Sequence, residues 1–344
     1  MTRRIGILTG GGDCPGLNAV IRAVVRRSET YDTSVLGFRN GWQGVLDASV
    51  ERLDRIATKG ILHLGGTMLG TSRTDPIAQP DGVQRIKETL DIHELDGLIV
   101  IGGEGTLSAS RVLSEDHGIP IIGVPKTIDN DLGGTDYTIG FATAVETASD
   151  AVDRLHSTAE SHNRVMVLEL MGRHAGWIAT YAGIAGGADA ILIPERPFDI
   201  EAVCRHLRRR HGMGRNFSIV VVAEGATPKE GSMVLPGYET DEFGRPRLGG
   251  IANVLGPEIE RLTGFATRVT VLGHVQRGGS PNAADRVLGS SLGIAAADHA
   301  NHANWGVMVG KHGNMVATCP LAEATRELKR VPPELYEVAT VFFG

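Results

Sequence analysis

The sequence predicts an α/β protein of two interlocked, doubly wound domains with mainly parallel sheets. Short β-rich apolar runs alternate with helical patterns along most of the chain, which argues for parallel sheets covered on both faces. Glycine-rich turns, from a total of 46 glycines, punctuate the ends of those runs. At 344 residues, 42% of them hydrophobic, the chain can bury two ordinary cores, and no low-complexity linker separates them.

The first run, Arg3-Arg4-Ile5-Gly6-Ile7-Leu8-Thr9, reads as a strand. Gly10-Gly11-Gly12-Asp13-Cys14-Pro15-Gly16 follows at once, and then an apolar-periodic helix over 17–25. Strand, glycine loop and helix in that order make an anion site. Glycines let backbone N–H groups approach an anion closely, and a helix start adds partial positive charge. Residues 34–38 read as the next strand and 82–90 as a helix. The same grammar recurs where the strand 97–101 runs into Gly102-Gly103-Glu104-Gly105-Thr106, with a helix expected to begin near Leu107. Two such strand ends suggest one extended polyphosphate.

No GxxxxGK[ST] loop occurs, and Gly103-Glu104-Gly105-Thr106-Leu107-Ser108 puts Ser at the last glycine position of a dinucleotide fingerprint. A nucleotide-binding oxidoreductase is therefore the weaker reading. Glu104 sits where a hard-oxygen ligand for Mg²⁺, bridging phosphates through waters, is wanted. The plainer reading makes it a helix N-terminal charge.

Residues 119–124 read as a buried parallel strand whose carboxyl end opens into Pro125-Lys126-Thr127-Ile128-Asp129-Asn130-Asp131. If that segment is extended, Asp129 and Asp131 point the same way and share one pocket. One carboxylate then orients while the other takes a proton, a recurring device in phosphoryl transfer. A polar turn of Asp and Asn is the plainer alternative.

Further on, strands are expected at 164–170, 190–193, 217–223 and 267–272, and helices at 143–159, 175–185, 200–210 and 282–303. Candidate boundaries are the turn after Asp136 and Gly278-Gly279-Ser280-Pro281, which gives domains of 1–140 plus 276–320 and 141–275 plus 321–344. Residues 234–247 read as an exposed insertion. Arg205, Arg208, Arg209, Arg210 and Arg215 read as a solvated helix face, with an effector-phosphate patch as the alternative.

A net charge of −6 gives no global attraction to nucleic acid. Three cysteines, Cys14, Cys204 and Cys319, lack metal or redox spacing, so a reduced cytoplasmic protein is expected. Cys14, in a glycine loop before a helix, is the thiol best placed for reactivity, although a small space filler is the simpler role. The chain opens without an apolar signal segment, and no stretch approaches membrane-span length.

Seven segments in register, GGDCPGLN at 11–18, GGTMLGTSR at 65–73, IGGEGT at 101–106, PKTIDND at 125–131, MGRHAGWIA at 171–179, VAEG at 222–225 and VLGHVQRGGSP at 271–281, carry a resemblance. Together they resemble the 6-phosphofructokinases from end to end. The resemblance implies phosphoryl transfer to the C1 hydroxyl of fructose 6-phosphate, with the active site in the cleft between two domains. It implies Asp129 as the base, Thr127 and Asp131 as residues that hold the reacting groups, and Arg173 as the stabiliser of the transferring phosphoryl. Gly12, Arg73, Gly103, Gly105 and Thr106 fall on the donor side, and Glu104 matches a metal-associated acid that the family usually has as Asp. Ile128, Met171, Gly172, Glu224, His274, Val275, Gln276 and Arg277 match the sugar-phosphate side. Arg164 and Arg268 match arginines that reach a neighbouring subunit's site, which implies a homotetramer. Planar guanidinium groups suit this allocation, since they bind phosphate oxygens bidentately and stay charged.

Two positions speak to the donor. Pyrophosphate users of the family typically carry Asp where this chain has Gly105, and Gly105 leaves room for the α-phosphate of ATP. Lys126 is usual in pyrophosphate users, but a flexible Lys can swing away or bind a γ-phosphate oxygen. ATP with Mg²⁺ is the expected donor, and pyrophosphate is the alternative. Arg22 and Arg26 match effector-binding arginines of regulated bacterial members. His156 and Met213 stand where those members have basic residues, so regulation by nucleoside diphosphate or phosphoenolpyruvate is not expected. A catalytically silent regulatory subunit is disfavoured because Asp129 and Arg173 are both present.

Overall fold

The computed structural model describes residues 3–233, 250–341 and 343, so the expected insertion at 234–247 lies outside the described residues. In chain order the first elements are β1 (Arg4–Thr9), α1 (Leu17–Glu29), β2 (Ser34–Phe38), α2 (Trp42–Leu46) and β3 (Val50–Leu53). There follow α3 (Gly82–Ile92), β4 (Gly97–Gly102), α4 (Glu104–Glu115), β5 (Ile121–Pro125) and α5 (Phe141–His162). Next come β6 (Val165–Leu170), α6 (Trp177–Ala185), β7 (Ala190–Leu192), α7 (Ile200–Gly212), β8 (Ser218–Ala223), α8 (Ile251–Thr263) and β9 (Thr267–Val271). A 3₁₀ turn (Gly273–Arg277) leads to α9 (Ala283–Asn301), β10 (Val307–His312), β11 (Met315–Pro320), α10 (Leu321–Ala324) and α11 (Pro333–Val341).

Two compact units result, one of residues 1–143 and 277–328 and the other of 144–276 and 329–344. In the first, the sheet order is β11-β10-β5-β4-β1-β2-β3. Its five inner strands run parallel, and the two edge strands, β3 and β11, pair antiparallel with their neighbours. Leu98 and Val100 of β4 join one core with residues of α2, α3, α4 and α10, while the alternating Ile99 and Ile101 are equally buried outside it. Helix α9 packs on β4, β5 and β10 and pairs with α1. Both faces of the sheet are therefore covered, and this is why β4 and β5 are apolar at every position and do not alternate.

The second unit holds an all-parallel sheet of order β7-β8-β6-β9. Val165, Val167, Val220 and Val222 face a core closed by α7 and α8. Helix α7 is framed by its ends: the Asp199 carboxylate accepts from Glu201 N–H at 2.9 Å, and Arg209, Arg210 and His211 fill the last turn. Its arginines have local partners. Arg205 lies 3.5 Å from Glu201, Arg208 donates to Leu262 O at 2.6 Å, and Arg210 pairs with the buried Asp189 at 2.5 Å. Arg205 lies on a solvated face as expected, whereas Arg210 is drawn in against Asp189 and departs from that expectation.

The chain differs from expectation mainly at edges. Residues 321–328 belong to the first unit and not to the tail, because Leu321 and Ala324 are buried in its core. Strands β3, β10 and β11 and helices α2, α8, α10 and α11 carry no expected element. Strand β3 has only four residues and β11 is largely exposed, so neither shows an apolar run; α8 contains Gly256 and Pro257, which read as loop.

Asp285 on α9 is fully buried and holds the entry to α5, accepting from Gly140 N–H at 2.8 Å, Thr143 N–H at 2.8 Å and the Thr143 hydroxyl at 2.6 Å. Cys14, Cys204 and Cys319 are all buried and free. Burial pushes the Cys14 thiol up to about 12, only partly offset by Lys126, and Cys204 and Cys319 up to about 11 each. Cys14 is thus a space filler, its Sγ donating to Ile139 O at 3.2 Å.

Two outcomes follow from these contacts. Asp285→Ala orphans three buried donors and should cost about 3 kcal/mol or more, read as a lowered denaturant midpoint. At pH 8 the thiolate fraction of the native cysteines is on the order of one in a thousand or less, so native protein should react slowly with a disulfide reagent. Protein unfolded in guanidinium should release all three equivalents at once.

Candidate active site

Thr9 of β1 pairs with Ile101 of β4, and Ile101 pairs with Val124 of β5, so three neighbouring parallel strands end in step. The winding reverses between β4 and β1: β1 crosses through α1 to β2 on one side, and β4 crosses through α4 to β5 on the other. Such a reversal opens a crevice at the carboxyl ends of the strands, where open α/β sheets hold ligands. The loops after β1, β4 and β5 rise from it side by side, about 4.8 Å from strand to strand.

The first of these loops is fixed by its own backbone. Gly10 N–H donates to Ile101 O and Gly11 N–H to Ser72 O, both at 2.9 Å, and Gly11 has φ 79°, a left-handed conformation that favours glycine. The Thr106 side chain lies over Gly10 and Gly102; a Cβ on either would come within 2.8 Å or 2.4 Å of it. Helix α4 begins at Glu104, three residues before the expected Leu107, because Gly103 is extended and its carbonyl already accepts from Leu107 N–H at 3.0 Å. Glu104 and Gly105 therefore occupy the first turn. Nothing lies within 4 Å of where a Gly105 Cβ would stand, so the space expected there is open. The Glu104 carboxylate is exposed and accepts from Ser108 Oγ at 2.9 Å. Arg73 is exposed, just beyond Thr71 and Ser72, which contact the glycine loop through the Thr71 hydroxyl on Gly11 O at 2.6 Å and through Ser72 O.

The loop after β5 is a turn and not an extended segment. Asn130 is fully buried at φ 51°, its Oδ1 accepting from Thr138 N–H at 3.0 Å and its Nδ2 donating to Asp136 O at 3.2 Å. The expected β-like alternation of Asp129 and Asp131 is thus replaced by two carboxylates flanking a left-handed residue. Asp131 is 9% exposed and Asp129 half-buried. Asp129 N–H donates to the Thr127 hydroxyl at 3.2 Å, and the Thr138 hydroxyl donates to Thr127 O at 2.6 Å. Ile128 is a fully buried anchor beneath this turn.

Lys126 is only 3% exposed and donates to Gly12 O, so it does not swing into solvent as a flexible surface lysine does. Burial lowers its pKa, with Cys14, Asp13 and Asp129 opposing that shift and Arg277 adding to it. Arg277, expected on the sugar side, lies in this first unit against the glycine loop. Its Nη1 donates to Asp13 O at 3.2 Å, and a Cβ on Gly12 would come within 2.8 Å of that nitrogen.

In the second unit the carboxyl ends of β6 and β8 bring another set together. Met171 N–H donates to Gln276 Oε1 at 3.2 Å, Glu224 N–H to Leu170 O at 2.8 Å and Gly225 N–H to Gly172 O at 3.1 Å. A Cβ on Gly225 would come within 1.9 Å of Arg173 O, so that crossing requires glycine. Met171, Gly172, Arg173, Glu224 and Gln276 are thereby assembled, with His274 and Val275 exposed on the 3₁₀ turn and Gln276 fully buried in it. Arg164 and Arg268 are not part of this assembly. Arg164 precedes β6 and Arg268 pairs with Met166 near its start, so they lie about 23 Å and about 17 Å of strand away from Met171.

Sequence reasoning gave no role to Asn130, Thr138 or Thr71. Asn130 carried a usable signal, since Asn tolerates positive φ better than most residues. Thr71 carried none, because its partner Gly11 is distant in the chain.

A phosphofructokinase family profile matches residues 4–300. A pyrophosphate–fructose 6-phosphate 1-phosphotransferase of Streptomyces coelicolor is 53% identical over 342 residues, covering 99% of this chain and 100% of that one. An ATP-dependent 6-phosphofructokinase of Mycobacterium tuberculosis is 53% identical over 348 residues with the same coverage. The solved structure of phosphofructokinase from Saccharomyces cerevisiae superimposes with a TM-score of 0.82 at 32% identity, covering 99% of this chain and 47% of that chain. With a profile match over most of its length and relatives sharing half its residues end to end, this chain belongs to the phosphofructokinase family.

Proposed function

We propose that the protein transfers the γ-phosphoryl group of ATP to the C1 hydroxyl of fructose 6-phosphate, giving fructose 1,6-bisphosphate and ADP. The observation that carries this reading is the meeting, in one unit, of two glycine-rich strand ends with the Asp129 turn on three strands that end in step. Such a crevice suits a polyphosphate laid along backbone N–H groups beside a carboxylate able to take a proton. In the proposed step the Asp129 carboxylate accepts the C1 hydroxyl proton, the freed oxygen bonds to the γ-phosphorus, and the bond from that phosphorus to the β,γ-bridging oxygen breaks. Thr127 and Asp131 hold the reacting groups. Arg173 balances charge on the transferring phosphoryl, and Met171, Gly172, Glu224, His274, Val275, Gln276 and Arg277 bind the sugar phosphate.

A divalent ion fits the donor side. Glu104 offers an exposed hard oxygen in the first turn of α4. That suits Mg²⁺, which takes one or two carboxylates and completes its shell with waters and phosphate oxygens. When bound, it neutralises charge on the donor phosphates.

The relatives divide on the donor, since one is named for pyrophosphate and another for ATP at equal identity. Lys126 is what favours pyrophosphate, but its ammonium group is committed to Gly12 O. The open space at Gly105 favours ATP. Arg164 and Arg268, at the strand end remote from Met171, suit service to a second copy of the chain, and a homotetramer is the proposed assembly. A reducing cytoplasm suits three buried free thiols.

Asp129→Asn should lower kcat by roughly 10²–10⁴-fold with KM values little changed, measured by coupled assay. Gly105→Asp should abolish turnover with ATP while the fold persists, because a carboxylate in the first turn of α4 is compatible with the helix dipole. Full ATP turnover in Gly105→Asp would contradict the donor assignment.

A further inference from the structure

Three successive carbonyls of the glycine loop are each held by a side chain from a different part of the chain. The Thr71 hydroxyl donates to Gly11 O at 2.6 Å, the Lys126 ammonium group to Gly12 O, and Arg277 Nη1 to Asp13 O at 3.2 Å. A trans peptide is planar, with its C=O and N–H pointing in opposite directions. Holding those three carbonyls therefore fixes the N–H groups of Gly12, Asp13 and Cys14, and no described residue accepts from any of the three. The left-handed Gly11, φ 79°, begins the run, and successive N–H groups after such a residue form an anion-binding concavity.

From this arrangement we infer that Thr71 and Lys126, together with Arg277, are positioning residues that aim the amides of Gly12, Asp13 and Cys14 at the anionic oxygens of the phosphoryl donor. The inference rests on the donor-side reading of the glycine loop given above. Without the clamp, a peptide of this loop can flip and present a carbonyl dipole to an anion, which repels it. With it, the donors are oriented before binding, so little ordering cost is met when the phosphate arrives. Two of the clamping groups are cations, which make the stronger, charge-assisted bonds. Lys126 thus serves the donor through the backbone and not by touching it. A lysine at this position is then compatible with either donor.

The test pairs an uncharged clamp with a charged one. Dissociation constants for MgATP and for pyrophosphate are measured by calorimetry on the full chain, alongside donor and fructose 6-phosphate KM values, for wild type, Thr71→Val, Thr71→Ser and Lys126→Met, with circular dichroism reporting the fold. Thr71→Val should weaken donor binding about tenfold, Thr71→Ser should restore it, and Lys126→Met should weaken it at least as much, while fructose 6-phosphate KM stays within about twofold. Donor binding unchanged in both Thr71→Val and Lys126→Met overturns the inference. So does weakening in Lys126→Met alone, which marks direct contact with the donor, and so does a parallel rise in both KM values, which marks a general structural role. If Thr71→Val does not fold, Thr71→Ala takes its place in the same comparison with Lys126→Met. Wild type that binds donor without phosphorylating the sugar sinks the proposed function but leaves the clamp to be judged by the dissociation constants; wild type that binds neither donor overturns the clamp as well.

Discussion

The register of β1, β4 and β5 is the constraint on which the first unit's site depends. Thr9, Ile101 and Val124 lie level across the sheet, so a slip of one residue in either pairing would move a loop along the strand and turn every side chain of that strand to the other face. The slip is opposed by burial on both faces. Ile99 and Ile101 face one layer, Leu98 and Val100 face another, and all four are fully buried. Hydrophobic packing thus sets where the loops begin, and local polar contacts set what each loop presents.

Those local contacts divide the labour. After β1, left-handed Gly11 and the ladder-like bonds from Gly10 and Gly11 turn the backbone, while Thr71, Lys126 and Arg277 hold its carbonyls. After β4, Gly103 caps α4, and Thr106 covers Gly10 and Gly102, linking two loops through one side chain. After β5, buried Asn130 makes the turn that carries Asp129 and Asp131. The second unit repeats the logic: the close crossing of Gly225 under Arg173 and the Gln276 bond to Met171 tie the β6 and β8 ends together.

Much of this was legible in the sequence because burial on both faces writes long apolar runs. The strands at 97–101, 119–124, 164–170 and 217–223 announced themselves in that way, as did the glycine clusters that end the first two of the sheet's central strands. Edge strands β3 and β11 were not legible, since exposed or short strands lack the pattern. Nor was α8, whose Gly256 and Pro257 imitate a loop. At the site, residue types fixed the chemistry but not the geometry. Asp129 and Asp131 were read as alternating along an extended segment, whereas Asn130 turns the chain between them. Lys126 reads as a mobile cation, whereas burial and Gly12 O hold it, and no pattern around Arg277 shows that it braces the glycine loop. The Lys126 and Arg277 contacts join residues far apart in the chain, which no local pattern records, whereas the Asn130 turn is local and is foreshadowed by the tolerance of Asn for positive φ.

The central claim is that ATP donates its terminal phosphoryl to C1 of fructose 6-phosphate. Phosphorus NMR of the purified protein with MgATP and fructose 6-phosphate tests it directly, with pyrophosphate in place of ATP in a parallel sample. The account predicts a new phosphate monoester at C1 growing in step with ADP in the first sample. No C1 phosphate with ATP, or its appearance with pyrophosphate alone, would contradict it.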